Sequence, residues 1–386
     1  MMRAGHPDVV VVGAGVVGAA CALALAREHQ RVLIVDADFP GGGSTGVAMG
    51  HIVVMDDSEA QLALTAYSRS LWSEMAGELP PDCEDERRGT LWLATTDEEL
   101  RAAGQKQAVY ARHGVAASVV DAAALADMEP HLRPGLAGAL HVPDDSVLYP
   151  PAAARYFVER ACSLGAEVLE RCTVEEIGDG TVSLATSGGS LDTVTAGAVV
   201  NAAGIDAPRL TPGLPIIPRK GHLVITERYP GMCSSQLVEL GYLHSAHTME
   251  GESVAFNVQP RATGQLLIGS SRELVGRDRR INHRLLAAML QRAIGFLPSL
   301  ARCATVRAWT GFRPATPDKL PLIGRWDGDG GERLWIAAGH EGLGITMALG
   351  TAELLVSQML GTSAPVDPAP FAPGRVMPGT TCCTEH

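Results

Sequence analysis

Aromatic residues are scarce, 4% of the 386 residues, and positive charge is in deficit, with 31 Lys and Arg against 43 Asp and Glu for a formal net charge of −12. Such a chain repels a phosphate backbone, and no basic stripe with interleaved aromatics runs along it, so no nucleic acid partner is expected. The eight cysteines lack any C-x-x-C spacing: Cys21, Cys83, Cys162, Cys172, Cys233 and Cys303 are scattered, and Cys382 and Cys383 are adjacent. That pattern argues for reduced thiols in a cytoplasmic protein, not for a disulfide framework or a zinc site. Also missing are an internal repeat, a Ser-His-Asp arrangement, paired carboxylates and a metal-ligand cluster. One long apolar run exists, from Val9 to Ala26. Asp8 at its entrance and glycines at Gly13, Gly15 and Gly18 break it into strand, turn and helix, so no membrane span is expected.

What is present points to two domains, since 46% hydrophobic residues over this length can fill more than one core. Residues 8–12 form a β-branched strand, 14–29 a helix rich in Ala and Leu, and 31–36 a second strand. A strand, crossover helix and strand of about thirty residues is a βαβ unit, which forces parallel pairing and opens its first turn where ligands bind. Further on, 58–75 and 97–113 read as amphipathic helices, and 89–94 and 135–142 as strands. Residues 150–165 read as a helix, and 166–177, 181–186 and 196–203 as strands that should return to the first sheet. Alternating strands over 217–269 and a helix over 282–296 define a second, antiparallel domain. Residues 334–338 are again a buried strand, 339–344 a glycine-rich turn and 345–360 a helix. The expected fold is therefore α/β: a Rossmann-like dinucleotide-binding domain, discontinuous over 1–88, 145–215 and 318–375, and an antiparallel substrate domain over 89–144 and 216–317. Residues 376–386 form a tail, and the chain from Thr362 onward should lie extended on the surface or fray.

The chemistry starts at Gly13-Ala14-Gly15-Val16-Val17-Gly18, a G-x-G-x-x-G between strand and helix, with Asp36 and Ala37 at the end of the second strand. Gly13 permits the tight turn, Gly15 lets backbone approach a pyrophosphate at the helix N-terminus, Gly18 allows close helix–strand packing, and Asp36 can accept ribose hydroxyls. The fingerprint alone does not separate FAD from NAD. After the second strand comes Gly41-Gly42-Gly43-Ser44-Thr45-Gly46, whose small and hydroxyl residues could wrap an extended dinucleotide or simply make a turn.

Over nearly its whole length the chain resembles the D-amino-acid oxidase, glycine oxidase and sarcosine oxidase family of flavoenzymes. The carrying segments are the opening fingerprint, Gly43-Ser44-Thr45, Val199 to Gly204, Gly311-Phe312-Arg313-Pro314-Ala315-Thr316-Pro317-Asp318 with Leu320 to Gly324, and Ala337 to Gly344. The resemblance implies FAD as cofactor, held also by Met49, Gly50, Ala203 and Gly204. It implies a Val174 backbone that meets adenine, and a turn of Gly339, His340, Glu341, Gly342, Leu343, Gly344 and Ile345 against the flavin pyrimidine. Arg313 matches the family arginine that clamps the substrate carboxylate, chemistry suited to a planar guanidinium.

Departures from the pattern are informative. Gly311 and Val47 stand where relatives attach flavin covalently, which implies non-covalent FAD. Asn257 stands where glycine oxidase has a tyrosine beside the carboxylate. His51 could sit near the reactive flavin edge or be a structural hydrogen-bonder; Tyr242 and His244 could line the pocket or belong to a surface loop. The implied activity is oxidation of the C–N bond of a small amino acid or secondary amine, with oxygen or another acceptor taking the electrons. An N-substituted glycine is favoured, with D-hydroxyproline or another D-amino acid, or a subunit of a larger dehydrogenase, as alternatives. A homo-oligomer is compatible with the sequence.

Overall fold

A computed structural model of the chain describes residues 6–185, 191–241, 251–329 and 331–375. The chain divides into two compact units, Met1–Gly46 with Pro150–Pro218 and Arg313–His386, and Val47–Tyr149 with Arg219–Phe312.

The first unit is built on a six-stranded sheet ordered Leu322–Arg325, Leu334–Ala338, Ala198–Asn201, Val9–Val12, Val32–Val35 and Glu167–Leu169. Its pairings are parallel except that of Leu322–Arg325 with Leu334–Ala338. Val9 to Val12 and Val32 to Val35 are all buried, which is why these strands read as continuous apolar runs and not as alternating ones. The helix Val16–Arg27 is apolar on nearly every face because helices Pro150–Ser163 and Gly344–Leu360 both pack against it. Strands Thr173–Gly178 and Thr181–Ala185 do not return to this sheet as expected; with Leu191–Thr195 they form a separate three-stranded antiparallel sheet. Arg171, at φ 52°, turns the chain between Glu167–Leu169 and Thr173–Gly178, so the single strand expected over 166–177 is two.

The second unit carries an eight-stranded sheet ordered Thr305–Ala315, Ile217–Thr226, Leu266–Arg272, Ser253–Pro260, Gln236–Glu239, Thr90–Ala94, Gly138–Val142 and Ser118–Asp121. It is not wholly antiparallel: Gln236–Glu239 runs parallel to Thr90–Ala94. One face packs Leu91, Leu93, Val224, Leu237, Phe256, Val258, Leu266 and Ile268 against Met289, Ala293 and Phe296 of the helix His283–Phe296, whose first turn Asn282 caps by accepting from the Leu285 amide. Each such fully buried aliphatic side chain contributes about 1.5–3 kcal/mol.

Unit boundaries differ from those expected. Residues 47–88 and 145–149 lie in the second unit, because Tyr110 donates to the Val54 carbonyl at 2.8 Å, Lys106 pairs with Asp56, and Glu86 bonds to the Val147 backbone. Residues 216–218 and 313–317 lie in the first unit, the latter tied in where the Glu341 amide donates to the Pro314 carbonyl at 2.9 Å. The chain beyond Thr362 is not frayed up to residue 375: Phe371 is buried, and Arg375 grips Asp318 through two hydrogen bonds. No helix among the described residues is long and apolar enough to cross a membrane, and the six described cysteines are all free thiols.

Candidate functional site

In the first unit the glycine fingerprint forms a cradle that side chains would fill. Gly13 has φ +104°, and a Cβ there would lie 2.6 Å from the Ala202 carbonyl oxygen; a Cβ on Gly18 would lie 2.0 Å from the Gly13 oxygen. Turn, helix and strand therefore touch through backbone, the geometry that lets a dinucleotide reach the N-terminus of Val16–Arg27, whose first turn carries no acidic residue. Thr45 reaches across 29 residues to accept from the Val16 amide at 3.0 Å, and a Cβ on Gly15 would meet that hydroxyl at 3.2 Å. Gly43, with φ +57°, is open: a Cβ there would meet nothing within 4 Å. Ser44 lies in the same short helix, Gly43–Gly46. These features fit a dinucleotide such as FAD.

Asp36, the residue expected to meet a ribose, is committed locally. One oxygen accepts from the Ala14 amide at 2.6 Å and the other from the Asp38 amide at 2.8 Å, with exposed Ala37 between. Asp36 thus shapes the glycine turn. Val174 is buried, and its carbonyl accepts from the Arg209 guanidinium at 2.6 Å. Ala203 and Gly204 follow the strand Ala198–Asn201, with the Ala203 amide held by the Asn201 side chain at 3.2 Å.

The turn from Gly339 to Gly344 stands beside Arg313. A Cβ on Gly342 would lie 3.6 Å from the Arg313 Cδ and Nε, an ordinary van der Waals distance, so the guanidinium stem runs alongside the turn. Gly339, φ +81°, packs where a Cβ would strike Thr316 at 2.7 Å, and Leu343 and Gly344 start the helix Gly344–Leu360, with Ile345 buried in its first turn. His340 turns inward: its Nε2 lies 2.9 Å from the Thr351 hydroxyl, and burial pushes its pKa down to about 3, so it is a neutral brace of the turn. Arg313 itself is half-buried.

In the second unit, alternation sends Thr90, Gln236, Asn257 and Gln259 to the face of the eight-stranded sheet opposite its apolar core. The segment holding Met49, Gly50 and His51 is bonded to these side chains: Gln259 donates to the Met49 carbonyl at 2.9 Å, and His51 Nε2 lies 2.9 Å from the Thr90 hydroxyl. Burial pushes the His51 pKa down to about 3, so this imidazole too is neutral. Gly50, φ +98°, bends the segment and accepts from the Leu148 amide. Asn257 is half-buried and accepts from Gln236. Tyr242 and His244 lie outside the described residues. Arg261, another arginine of that strand region, is committed to Glu84 and stacks over Tyr149.

Thr90 and Gln236 were not singled out from sequence. Gln236 and Thr90 depend on cross-strand register, which no local pattern encodes.

The profile of the family described as FAD dependent oxidoreductase matches residues 8–358. Glycine oxidase of Geobacillus kaustophilus is 29% identical over 379 residues, spanning 95% of this chain and 96% of the relative. Hydrogen cyanide synthase subunit HcnC of Pseudomonas protegens is 28% identical, spanning 96% of each chain. The crystal structure of the Geobacillus kaustophilus glycine oxidase aligns with a TM-score of 0.84 at 29% identity, over 97% of this chain and all of that one.

Proposed function

This chain belongs to the FAD-dependent oxidoreductase family and is a glycine-oxidase-like enzyme, and from that premise we propose that it oxidises the C–N bond of a secondary amino acid, by preference an N-substituted glycine. The observation that carries the reading is Arg313 lodged against the Gly339–Gly344 turn, in the same unit as the glycine cradle. A guanidinium there suits a substrate carboxylate, which it would hold through two parallel charge-assisted bonds. Asn257 in place of a tyrosine supports room for a substituent on the amine.

Gly13, Gly15, Val16, Val17, Gly18, Asp36, Thr45 and the Gly339 to Ile345 turn would hold the FAD, without a covalent link at Gly311 or Val47. When bound, FAD supplies the acceptor for the hydride that leaves the substrate α-carbon. Arg313 would fix the angle of that carbon, the amine must be neutral so that its lone pair can form the imine, and water then hydrolyses the imine. No side-chain base is obligatory, because orientation and exclusion of water are what the protein contributes. The weak basicity of His51 and His340, whose pKa values burial pushes down to about 3, supports this division of labour.

The likeness to a hydrogen cyanide synthase subunit supports a second reading, in which partner chains take the electrons. Free thiols at all described cysteines support placement in the cytoplasm. Anaerobic mixing with a panel of N-alkyl glycines, D-proline derivatives and glycine tests the proposal. Rapid bleaching of the flavin by an N-alkyl glycine supports it; bleaching by none of the panel refutes it.

A further inference from the structure

Between the strand Leu266–Arg272 and the helix His283–Phe296 of the second unit, residues 274–280 leave the sheet as an exposed loop. Lys220, itself 2% exposed, closes the base of that loop. Its backbone exchanges two hydrogen bonds with Glu273, at 2.9 and 3.0 Å, and its Nζ lies 3.3 Å from the Glu273 carboxylate while donating to the Arg280 carbonyl at 3.0 Å. The Thr310 hydroxyl donates to the Arg279 carbonyl at 2.8 Å. What the clamp presents is apolar at its leading end: Leu274 and Val275 are 44% and 40% exposed, the only adjacent pair among the large exposed hydrophobics of the described residues. Arg277, Arg279 and Arg280 follow, all exposed, against one acid, Asp278, which Arg280 already holds at 3.0 Å. Exposed Val306 shares a face of the edge strand Thr305–Ala315 with Thr310, and so adds a third aliphatic on the side to which the loop is tied.

We propose that this loop is a contact element for an anionic lipid surface: Leu274 and Val275 enter the apolar edge of the bilayer while the three arginines stay with the lipid phosphates. A single exposed aliphatic residue needs no explanation. Here, however, a lysine is taken out of water to hold two of them outward, and a buried ammonium is costly even when paired. Charge selects the partner. The chain as a whole carries −12 and is repelled by an anionic surface, whereas the loop carries three arginines against one aspartate, so this is the side such a surface attracts. Lipid is favoured over an acidic protein because residues 274–280 contain no Trp or Tyr, the anchors that fill pockets in protein interfaces. A protruding Leu-Val pair needs a matching pocket in a protein but none in a bilayer, and arginine stems can lie along the apolar boundary with their heads in water. Two short side chains and a few charges give reversible attachment, sensitive to salt.

The test is cosedimentation of the flavin-loaded enzyme with phosphatidylcholine vesicles, with and without phosphatidylglycerol, at low and high salt, beside retention on a polyglutamate resin. Wild type is expected to sediment with the phosphatidylglycerol vesicles, to ignore phosphatidylcholine alone, and to be released by salt. Arg279→Glu, which reverses one charge, should weaken the partition about ten- to thirtyfold. The double variant Leu274→Asp with Val275→Asp should weaken it about tenfold or more. Both variants replace exposed side chains and should keep the wild-type flavin content and melting temperature, which separates lost attachment from lost folding. Absence of cosedimentation at low salt overturns the inference, as does vesicle binding that survives both variants, because another surface would then be responsible. Retention on polyglutamate as strong as on the vesicles, and unchanged by the two aspartates, would assign the loop to an acidic polypeptide and overturn the lipid partner. None of these outcomes bears on the proposed reaction.

Discussion

Gly311 and Val47 face one another so closely that a Cβ on Gly311 would lie 2.4 Å from the Val47 Cγ2. The Trp309 indole donates to the Val47 carbonyl at 3.1 Å, which pins the approach. The two positions that the family resemblance marks as flavin tethers are thus occupied here by a residue with no side chain and one with no nucleophile, packed together. Acid precipitation of the purified yellow protein is expected to leave the flavin in the supernatant. Colour retained in the washed pellet would contradict this. Gly311→Cys is expected to destabilise the protein by about 1–3 kcal/mol through overpacking against Val47, not to create a link.

The glycine cradle makes a sharper prediction. Gly18→Ala puts a methyl group 2.0 Å from the Gly13 oxygen, a backbone atom that cannot step aside, so the helix must move off the strand. Gly15→Val must displace the Thr45 hydroxyl that holds the Val16 amide. Both variants are expected to purify largely without flavin, read from the absorbance ratio near the flavin and protein bands. Asp36→Ala should lose flavin and stability together, because the carboxylate also holds the Ala14 and Asp38 amides. Full flavin content in all three would show the fingerprint to be misread.

His340 gives a pH dependence of known sign. Its pKa is pushed down by burial from 6.5 to about 3. Above pH 6.5 it is neutral in folded and unfolded chains alike, and the contribution is fully present. As pH falls from there toward 3, the unfolded chain takes up a proton that the folded one refuses, and stability is lost. The difference in unfolding free energy between wild type and His340→Gln should therefore shrink by about 1.4 kcal/mol for each pH unit below the unfolded value. Urea unfolding of both proteins on either side of that value checks it; a constant difference would mean the imidazole is not held neutral.

Much of this was legible in the sequence where the signal is local. The continuous Val and Ile runs, the fingerprint between them and the helices at 58–75, 97–113 and 282–296 are set by short-range periodicity, and the structure places Ser58, Thr96 and Asn282 as their N-caps. The strand Ser118–Asp121 and helix Ala122–Met128 escaped notice because they are short and largely exposed. Pairings across long sequence separations escaped as well: Thr45 with Val16, Arg375 with Asp318, Gln236 with Asn257, and the parallel register of Gln236–Glu239 on Thr90–Ala94. Side-chain periodicity says which face a residue takes, not which strand will lie beside it. For the same reason Arg313 was found from its motif, whereas its place beside Gly342 was not.

The most direct test of the account is the anaerobic reduction of bound flavin by an N-alkyl glycine, followed by stopped flow in wild type, Arg313→Lys and Arg313→Ala. Breaking a partly desolvated ion pair costs about 3–5 kcal/mol. Arg313→Ala is therefore expected to retain its flavin yet lose about two to three and a half decades in second-order reduction rate. Arg313→Lys should recover only part, since an ammonium cannot reproduce the planar two-bond geometry. An Arg313→Ala enzyme with full flavin content, reduced by the same amino acid at near wild-type rate, would contradict the central claim that Arg313 anchors the substrate carboxylate.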